Sequence, residues 1–91
     1  MAMDEPLSDQ ELTELEALTQ AAAPAPWVAF LQNGLGGDSF IRLDGLDDQF
    51  PPDMYILRDD KIAPDADIEF IAAARNHMPR LLAELRRARA R

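Results

Sequence analysis

The sequence predicts a single two-layer α+β domain with the element order α-β-β-β-α. Three observations favour this fold: 91 residues suffice for one small core, helical spacing of apolar residues is confined to the two ends of the chain, and strand-like runs fill the middle. A small antiparallel sheet should therefore pack against an N-terminal helix and a long, kinked C-terminal helix. Residues 1–91 form this one domain, and we expect residues 1–6 to be flexible.

The first helix is predicted by its start signal. Ser8 and Glu11 have the spacing of a capping box, in which each side chain bonds the backbone N–H of the other residue, and Leu7 and Leu12 occupy the positions of a hydrophobic staple. Pro24 disfavours helical geometry at the residue before it, so the helix should end one or two residues earlier. The apolar stripe of this helix consists of Leu12, Leu15, Leu18 and Ala22.

A hairpin is predicted after the first helix. The Ala-Pro-Ala-Pro run at 23–26 indicates a stiff, extended corner between helix and sheet. Residues 27–32 and 39–43 are rich in aromatic and branched side chains, which favour strands. Because the segment 33–38 between them contains Asn-Gly and Gly-Gly, the two strands should pair as an antiparallel hairpin with a longer loop.

The chain after the hairpin predicts a loop and a third strand. Asp44-Gly45 ends the hairpin, and residues 46–53 read as a loop because they include Pro51-Pro52. Residues 54–58 again have strand composition, and Asp59-Asp60 bounds them. We therefore expect one continuous strand over 54–58.

The C-terminal helix should be long and amphipathic. Asp65 and Asp67 stand where a helix N-cap and first turn favour carboxylates. Pro79 lacks a backbone donor and clashes with the preceding turn, which predicts a kink or a one-turn break near residues 76–79. The apolar stripe consists of Ile68, Ile71, Ala74, Met78, Leu82 and Leu85, widened by Phe70, Ala73 and Leu81.

Two segments resemble a pattern found in small uncharacterised proteins of phages and prophages. The segment 21–27, AAAPAPW, is similar to a Pro-x-Pro-Trp corner that follows an N-terminal helix, and 67–75, DIEFIAAAR, with Pro79 four residues later, is similar to a C-terminal Phe-Ile-Ala-x-Ala-Arg helix. The similarity extends from Leu12 to Leu85. It implies an accessory protein of a mobile element that inhibits or modulates a host complex, including a host defence complex.

Charge is unevenly distributed along the chain. Residues 1–70 hold 16 acidic and 3 basic side chains, a net charge of −13, whereas residues 71–91 hold 1 acidic and 6 basic ones, a net charge of +5. A body this acidic repels phosphate, so we expect no direct binding of nucleic acid and a protein partner with a basic surface. The C-terminal arginines either contact phosphate or, as is typical of cations at the end of a helix, complement the helix dipole. They are Arg80, Arg86, Arg87, Arg89 and Arg91.

Composition also bears on compartment. The chain contains no cysteine and no apolar run long enough to span a membrane, and its first residues are acidic where a secretory signal would be basic. We therefore expect a cytoplasmic protein with no membrane partner.

No catalytic, metal or cofactor site is predicted. His77 is the only histidine, and the four aspartates between positions 44 and 53 lack the spacing of a calcium-binding loop. Ser8 is better used as a helix cap and Ser39 as the start of a strand, so neither is placed as an activated nucleophile. We expect a non-enzymatic protein without a cofactor.

The candidate binding residues follow from charge and side-chain size. Trp27 is either an interface anchor or the plug that packs the proline corner onto the sheet. Arg75, on the apolar side of the C-terminal helix, forms an ion pair with the acidic body or contacts an anion. The candidate protein-binding residues are Asp44, Asp47, Asp48, Asp53, Trp27 and Tyr55, and Arg75 is the candidate anion contact.

Three functions remain open at this level. The first is an acidic, non-enzymatic protein-binding module. The second is a binder of a small, nucleotide-like anion at an oligomer interface. The third is a structural oligomer, since the C-terminal helix extends beyond what a three-stranded sheet can cover and is a candidate surface for homo-oligomerisation.

Overall fold

The computed structural model describes residues 5–33 and 35–90 and confirms the α+β fold, in which two helices flank a three-stranded antiparallel sheet in the order α-β-β-β-α. A separate two-stranded sheet is inserted before the second helix. Residues 1–4, where most of the expected flexible segment falls, lie outside the described residues. The elements are α1 (Asp9–Ala21), β1 (Val28–Phe30), β2 (Phe40–Arg42), a 3-10 turn (Asp44–Leu46), β3 (Asp53–Met54), β4 (Leu57–Arg58), β5 (Lys61–Ile62) and α2 (Asp65–Arg89).

The start of α1 is the predicted capping box. The Ser8 backbone N–H donates to Oε1 of Glu11 at 2.9 Å, and the Glu11 backbone N–H donates to Oγ of Ser8 at 3.0 Å. The helix ends with Ala22 as its C-cap, in extended geometry, as Pro24 predicts. Leu12 is the one fully buried side chain of α1 among the described residues.

The predicted hairpin forms the centre of the sheet. Strands β1, β2 and β3 are antiparallel in that spatial order, with Ala29 opposite Ile41 and Ile41 opposite Met54. Because side chains alternate across a strand, these three residues share the inner face, toward α2. The hydrophobic core joins this face to the helix through buried Ile41, Ala63, Ile68 and Ala72.

The prediction of one strand over residues 54–58 is wrong. The chain pairs with β2 only at Asp53–Met54, and after two residues it starts a separate two-stranded sheet in which β4 pairs with β5. The turn between β4 and β5 consists of Asp59 and Asp60, both left-handed with φ of 53° and 63°. The hydrogen bonding of this hairpin continues past its strands, since the Ala63 N–H donates to the Ile56 carbonyl at 2.8 Å. The hairpin is joined to α2 by the ion pair of Arg58 with Asp67 at 3.1 Å.

Helix α2 departs from its predicted start and its predicted interruption. Its N-cap is Pro64, without a side-chain cap, and the Asp65 carboxylate instead accepts a hydrogen bond from the buried Ser39 hydroxyl at 2.5 Å. The helix runs through Pro79 without a break, which excludes the one-turn break, whereas the alternative of a kink at this proline stays a prediction.

The apolar stripe of α2 is narrower than the sequence predicts. Ile68, Ala72 and Leu82 are buried, but Phe70 is 72% exposed and Leu81 is 56% exposed. These two side chains are therefore exposed and do not widen the buried face of the helix, and Phe70 lies at the edge of that face, beside Leu57 and Ile71.

The proline corner is packed against the chain that follows β2. The Gly45 N–H donates to the Pro26 carbonyl at 3.1 Å. A Cβ at Gly45 would overlap the carbonyl oxygens of Pro24 and Ala25, so this close approach requires glycine. The corner and the 3-10 turn therefore form one packed unit at the end of the sheet.

Candidate functional site

Arg75 lies at the C-terminal end of α1. Its Nε donates to the Ala23 carbonyl at 3.0 Å and its Nη2 donates to the Thr19 carbonyl at 3.2 Å. Carbonyls in the last turn of a helix lack partners within the helix and carry partial negative charge, so a guanidinium there stabilises the helix end. The expected ion pair with an acidic side chain is not formed within the described residues, and the anion contact stays a prediction.

Trp27 connects the corner, the sheet and α2. Its indole Nε1 donates to the Ala23 carbonyl at 2.9 Å, the Arg75 guanidinium lies 5.8 Å from its ring centroid, and its side chain packs against the core cluster. Its backbone is held by Asn76, whose Oδ1 accepts from the Trp27 N–H at 2.8 Å and whose Nδ2 donates to the Trp27 carbonyl at 2.8 Å. The packing agrees with a plug at the corner, and its candidacy as an interface anchor stays a prediction.

Two C-terminal arginines bind α1 to α2. Arg86 donates to both carboxylate oxygens of Glu16, at 2.9 and 2.8 Å, and to Oγ1 of Thr13 at 2.8 Å. This hydrogen bonding lowers the pKa of Glu16 below its ordinary value and raises the pKa of Arg86. Arg89 pairs with Asp9 at 3.0 Å. The basic tail thus does more than complement the dipole of its own helix, because it neutralises part of the acidic surface of α1.

The outer face of the sheet carries a row of aromatic rings. Phe30 and Phe40 lie opposite each other in β1 and β2, with ring centroids 5.2 Å apart and planes 10° apart. Tyr55 continues the row, with its ring centroid 5.4 Å from that of Phe40. Phe30 is 36% exposed and Tyr55 is 51% exposed. We call these three side chains the aromatic row.

Arg42 lies on the same face as the aromatic row. Its guanidinium carbon is 4.5 Å from the Phe30 ring centroid and 5.4 Å from the Phe40 ring centroid. Its Nε donates to Oδ1 of Asp53 at 2.9 Å, and this hydrogen bond raises the pKa of Arg42. The one cation of the outer face in the described residues is therefore already paired with a carboxylate and stacked on rings.

The loop at residues 44–52, which we call the acidic loop, leaves and rejoins the sheet beside Arg42 and Asp53. Its ends are joined by a hydrogen bond of 2.9 Å from the Leu43 N–H to the Pro52 carbonyl. All three aspartates of the loop are exposed, and so are Leu46 at 42% and Phe50 at 80%. The aspartates are Asp44, Asp47 and Asp48.

The structure thus groups some of the predicted residues and separates others. Tyr55, Asp53 and the three loop aspartates lie on or beside the outer face of the sheet, whereas Trp27 and Arg75 lie on the inner side, next to α1 and α2. Asp53 belongs to β3 and is ion-paired, so it differs from the loop aspartates with which the sequence groups it.

The residues that sequence reasoning missed are Phe30, Phe40 and Arg42. Their signal was present in the alternation of the predicted hairpin, because Phe30 shares a face with its cross-strand neighbour Phe40, and Arg42 lies two residues further along the same strand. Both phenylalanines lie in predicted strands, but strand composition alone does not show which face of the sheet they occupy.

Metal sites, membrane-spanning helices and similar proteins were the remaining sources of information on function. Within residues 5–33 and 35–90, no three histidine or carboxylate side chains come together in a group that could hold a metal ion. Neither helix of this part of the chain has both the length and the apolar composition needed to cross a bilayer. Comparison with known protein families, curated proteins and solved structures found no match to the chain.

Proposed function

We propose that this protein is a non-enzymatic binding module that attaches to a positively charged surface of another protein. The observation that carries this proposal is the aromatic row on the outer face of the sheet, next to the exposed aspartates of the acidic loop. In the part of the chain that the structure describes, α2 packs on the inner face and α1 packs on α2, which leaves the row accessible.

The aromatic row supplies the apolar part of such an interface. Large rings held by neighbouring side chains lose little conformational entropy on binding, and aromatic residues dominate the binding energy of many protein interfaces. Phe40 holds both of its neighbours, since it stacks on Phe30 and contacts Tyr55. The row is therefore preorganised before a partner arrives.

The acidic loop would make the interface selective for a positively charged partner. Asp44, Asp47 and Asp48 are exposed, and the nearby Arg42 is paired with Asp53, so this end of the outer face has a net negative charge. Such a surface attracts lysine and arginine and repels phosphate. A partner with apolar side chains surrounded by basic ones fits the face, and a nucleic acid does not.

The resemblance to phage proteins suggests the biological setting of this proposal. A small acidic protein that occupies a basic surface of a host complex prevents that surface from binding its own ligand, including nucleic acid. The chain would then inhibit or modulate the complex by occlusion rather than by chemistry.

A binding experiment with a bacterial host lysate tests the proposal. The lysate proteins that are retained by the wild type are compared with those retained by three variants. Phe30→Ala with Tyr55→Ala shortens the row, and Asp44→Lys with Asp48→Lys reverses charge in the loop. Glu5→Lys with Glu14→Lys is the matched control, because it changes net charge equally on exposed positions away from the sheet.

We expect that one lysate protein is retained equally by the wild type and the control. Both test variants should retain about tenfold less of it, or even less, because interface anchors contribute most of the binding energy. Its retention should also fall as salt is raised. If no retained protein shows this pattern, or if the control loses it equally, the outer face is not the binding surface.

A further inference from the structure

The side of α2 that faces away from the core carries exposed apolar residues. Phe70, Ala73, His77 and Leu81 are all exposed and follow one another at intervals of three or four residues. With about 3.6 residues per turn, this spacing keeps them on one side of the helix, outside the buried face. Phe70 and Leu81 are the two large side chains of this group, and each exposes more than half of its surface.

The positions on this side of α2 are symmetric about His77. Ala73 and Leu81 lie four residues before and after it, Phe70 and Glu84 lie seven residues before and after it, and all are exposed. Ala66 and Ala88 extend the set to eleven residues on each side. We call this set of seven positions the outward stripe. A second helix of the same sequence, running antiparallel with His77 facing His77, would place every position of the stripe opposite another position of the stripe.

The charges beside the stripe favour that antiparallel arrangement. Glu69 and Arg87 are 18 residues apart, about five full turns, so they project from the same edge of the stripe. In an antiparallel pair centred on His77, Arg87 of the second copy is level with Asp67, which puts it about 3 Å along the axis from Glu69. A parallel copy would instead bring the two acidic ends together and the two basic ends together.

The small residues of the stripe suit a close approach of two helices. Ala73 would face Leu81 of the second copy on either side of His77, so a small side chain meets a large one twice. Phe70 would cover the aliphatic part of Glu84 of the second copy while the carboxylate stays at the edge. Apolar, small and charged positions are therefore each placed opposite a compatible group.

We infer that the outward stripe binds a second copy of this chain and forms an antiparallel homodimer with a two-fold axis at His77. This inference is independent of the proposed function, because α2 lies between the stripe and the sheet. The two aromatic rows of the dimer point in opposite directions. The dimer is therefore bivalent and can engage two basic surfaces at once.

Single-cysteine variants test the geometry directly, since the chain has no cysteine of its own. Under mild oxidation, His77→Cys should form a disulfide-linked dimer, because its two copies face each other on the axis. Ala66→Cys should not link to itself, because two copies of position 66 are about 33 Å apart along the axis in the antiparallel pair. An equal mixture of Ala66→Cys and Ala88→Cys should form the mixed dimer.

The outcomes of the cysteine experiment separate the alternatives. In a parallel dimer, all three single variants would link to themselves, which would overturn the antiparallel arrangement. Glu14→Cys, on the exposed surface of α1, measures linking by random collision. If His77→Cys links no faster than Glu14→Cys, the dimer is not formed through the stripe.

Light scattering provides a second measurement that needs no cysteine. We expect twice the chain mass of 10.2 kDa for the wild type and the single-chain mass for Phe70→Glu, which places a charge in the stripe. Leu18→Glu changes a comparably exposed leucine on α1 and should remain dimeric. A single-chain mass for the wild type, or a dimeric Phe70→Glu, would exclude the inference. The variant Phe30→Ala with Tyr55→Ala should stay dimeric, so failure of one proposal is distinguishable from failure of the other.

Discussion

At the scale of single residues, Asn76 is the side chain that most clearly fixes one element on another. It offers a carbonyl oxygen to the Trp27 N–H and an amide N–H to the Trp27 carbonyl, both at 2.8 Å, as a neighbouring strand would. Both backbone groups are only partly accessible to solvent. A side chain from α2 thus satisfies the backbone of the residue that precedes β1.

We predict that Asn76→Ala lowers the free energy of unfolding by about 2 kcal/mol, since unsatisfied and poorly solvated backbone groups are costly. Asn76→Asp is the matched control, because its carboxylate still accepts from the Trp27 N–H but cannot donate to the Trp27 carbonyl. Its second carboxylate oxygen would face the Trp27 carbonyl oxygen and repel it, so the free energy of unfolding of Asn76→Asp should be no higher than that of Asn76→Ala. Urea denaturation followed by Trp27 fluorescence measures all three. If Asn76→Ala unfolds at the wild-type urea concentration, the two hydrogen bonds do not stabilise the fold.

At the scale of elements, the sequence predicted those features that depend on interactions between neighbouring residues. The capping box at Ser8 and Glu11, the end of α1 before Pro24 and the hairpin of β1 and β2 depend on neighbouring residues, and all three are present in the structure. The continuous third strand was wrong because pairing partners, not composition, decide where a strand ends. Met54 has β2 beside it, whereas Leu57 pairs with a strand formed further along the chain.

The candidate site was predictable in part for the same reason. Tyr55 and the loop aspartates follow from composition, and Phe30 and Phe40 could have been added from the alternation of a predicted hairpin. The contacts of Asn76 with Trp27 and of Arg86 with Glu16 join residues 49 and 70 positions apart. Such contacts depend on how α1, α2 and the sheet pack, and no local pattern in the sequence encodes them.

The turn between β4 and β5 gives a prediction at this scale. Asp59 and Asp60 both have left-handed backbone, the geometry of a two-residue turn that favours Asn-Gly. We predict that Asp59→Asn with Asp60→Gly raises the free energy of unfolding by about 0.5–1 kcal/mol, because these residues adopt positive φ at lower cost. Asp60→Val should be destabilising, since a branched side chain resists this geometry. Thermal denaturation checks both, and equal melting temperatures for the two variants would contradict the role of the turn.

At the scale of the whole molecule, the chain is elongated and its burial is uneven. Its principal extents are 50 × 34 × 18 Å and its radius of gyration is 15.7 Å, whereas a compact chain of this length has about 12 Å. Most of the buried apolar residues of the described chain belong to the cluster between the sheet and α2. The helix α1 contributes Leu12 as its one fully buried side chain, while Leu15 and Ala22 are only half-buried. It is also held by Arg75, Arg86 and Arg89, whose contacts are partly or fully exposed.

We therefore predict that α1 separates from the rest of the molecule before the sheet unfolds. Exposed ion pairs stabilise little and a fully buried leucine stabilises much, so the attachment of α1 depends mainly on Leu12. Leu12→Ala should accelerate hydrogen exchange of the α1 amides by about tenfold or more, which corresponds to about 1.4 kcal/mol, while the β2 amides change by less. Leu18→Ala, which truncates a side chain that is 67% exposed, should leave both sets near their wild-type rates. If the β2 amides accelerate as much as those of α1, the two parts unfold together, and the elongated shape does not divide the molecule into regions of different stability.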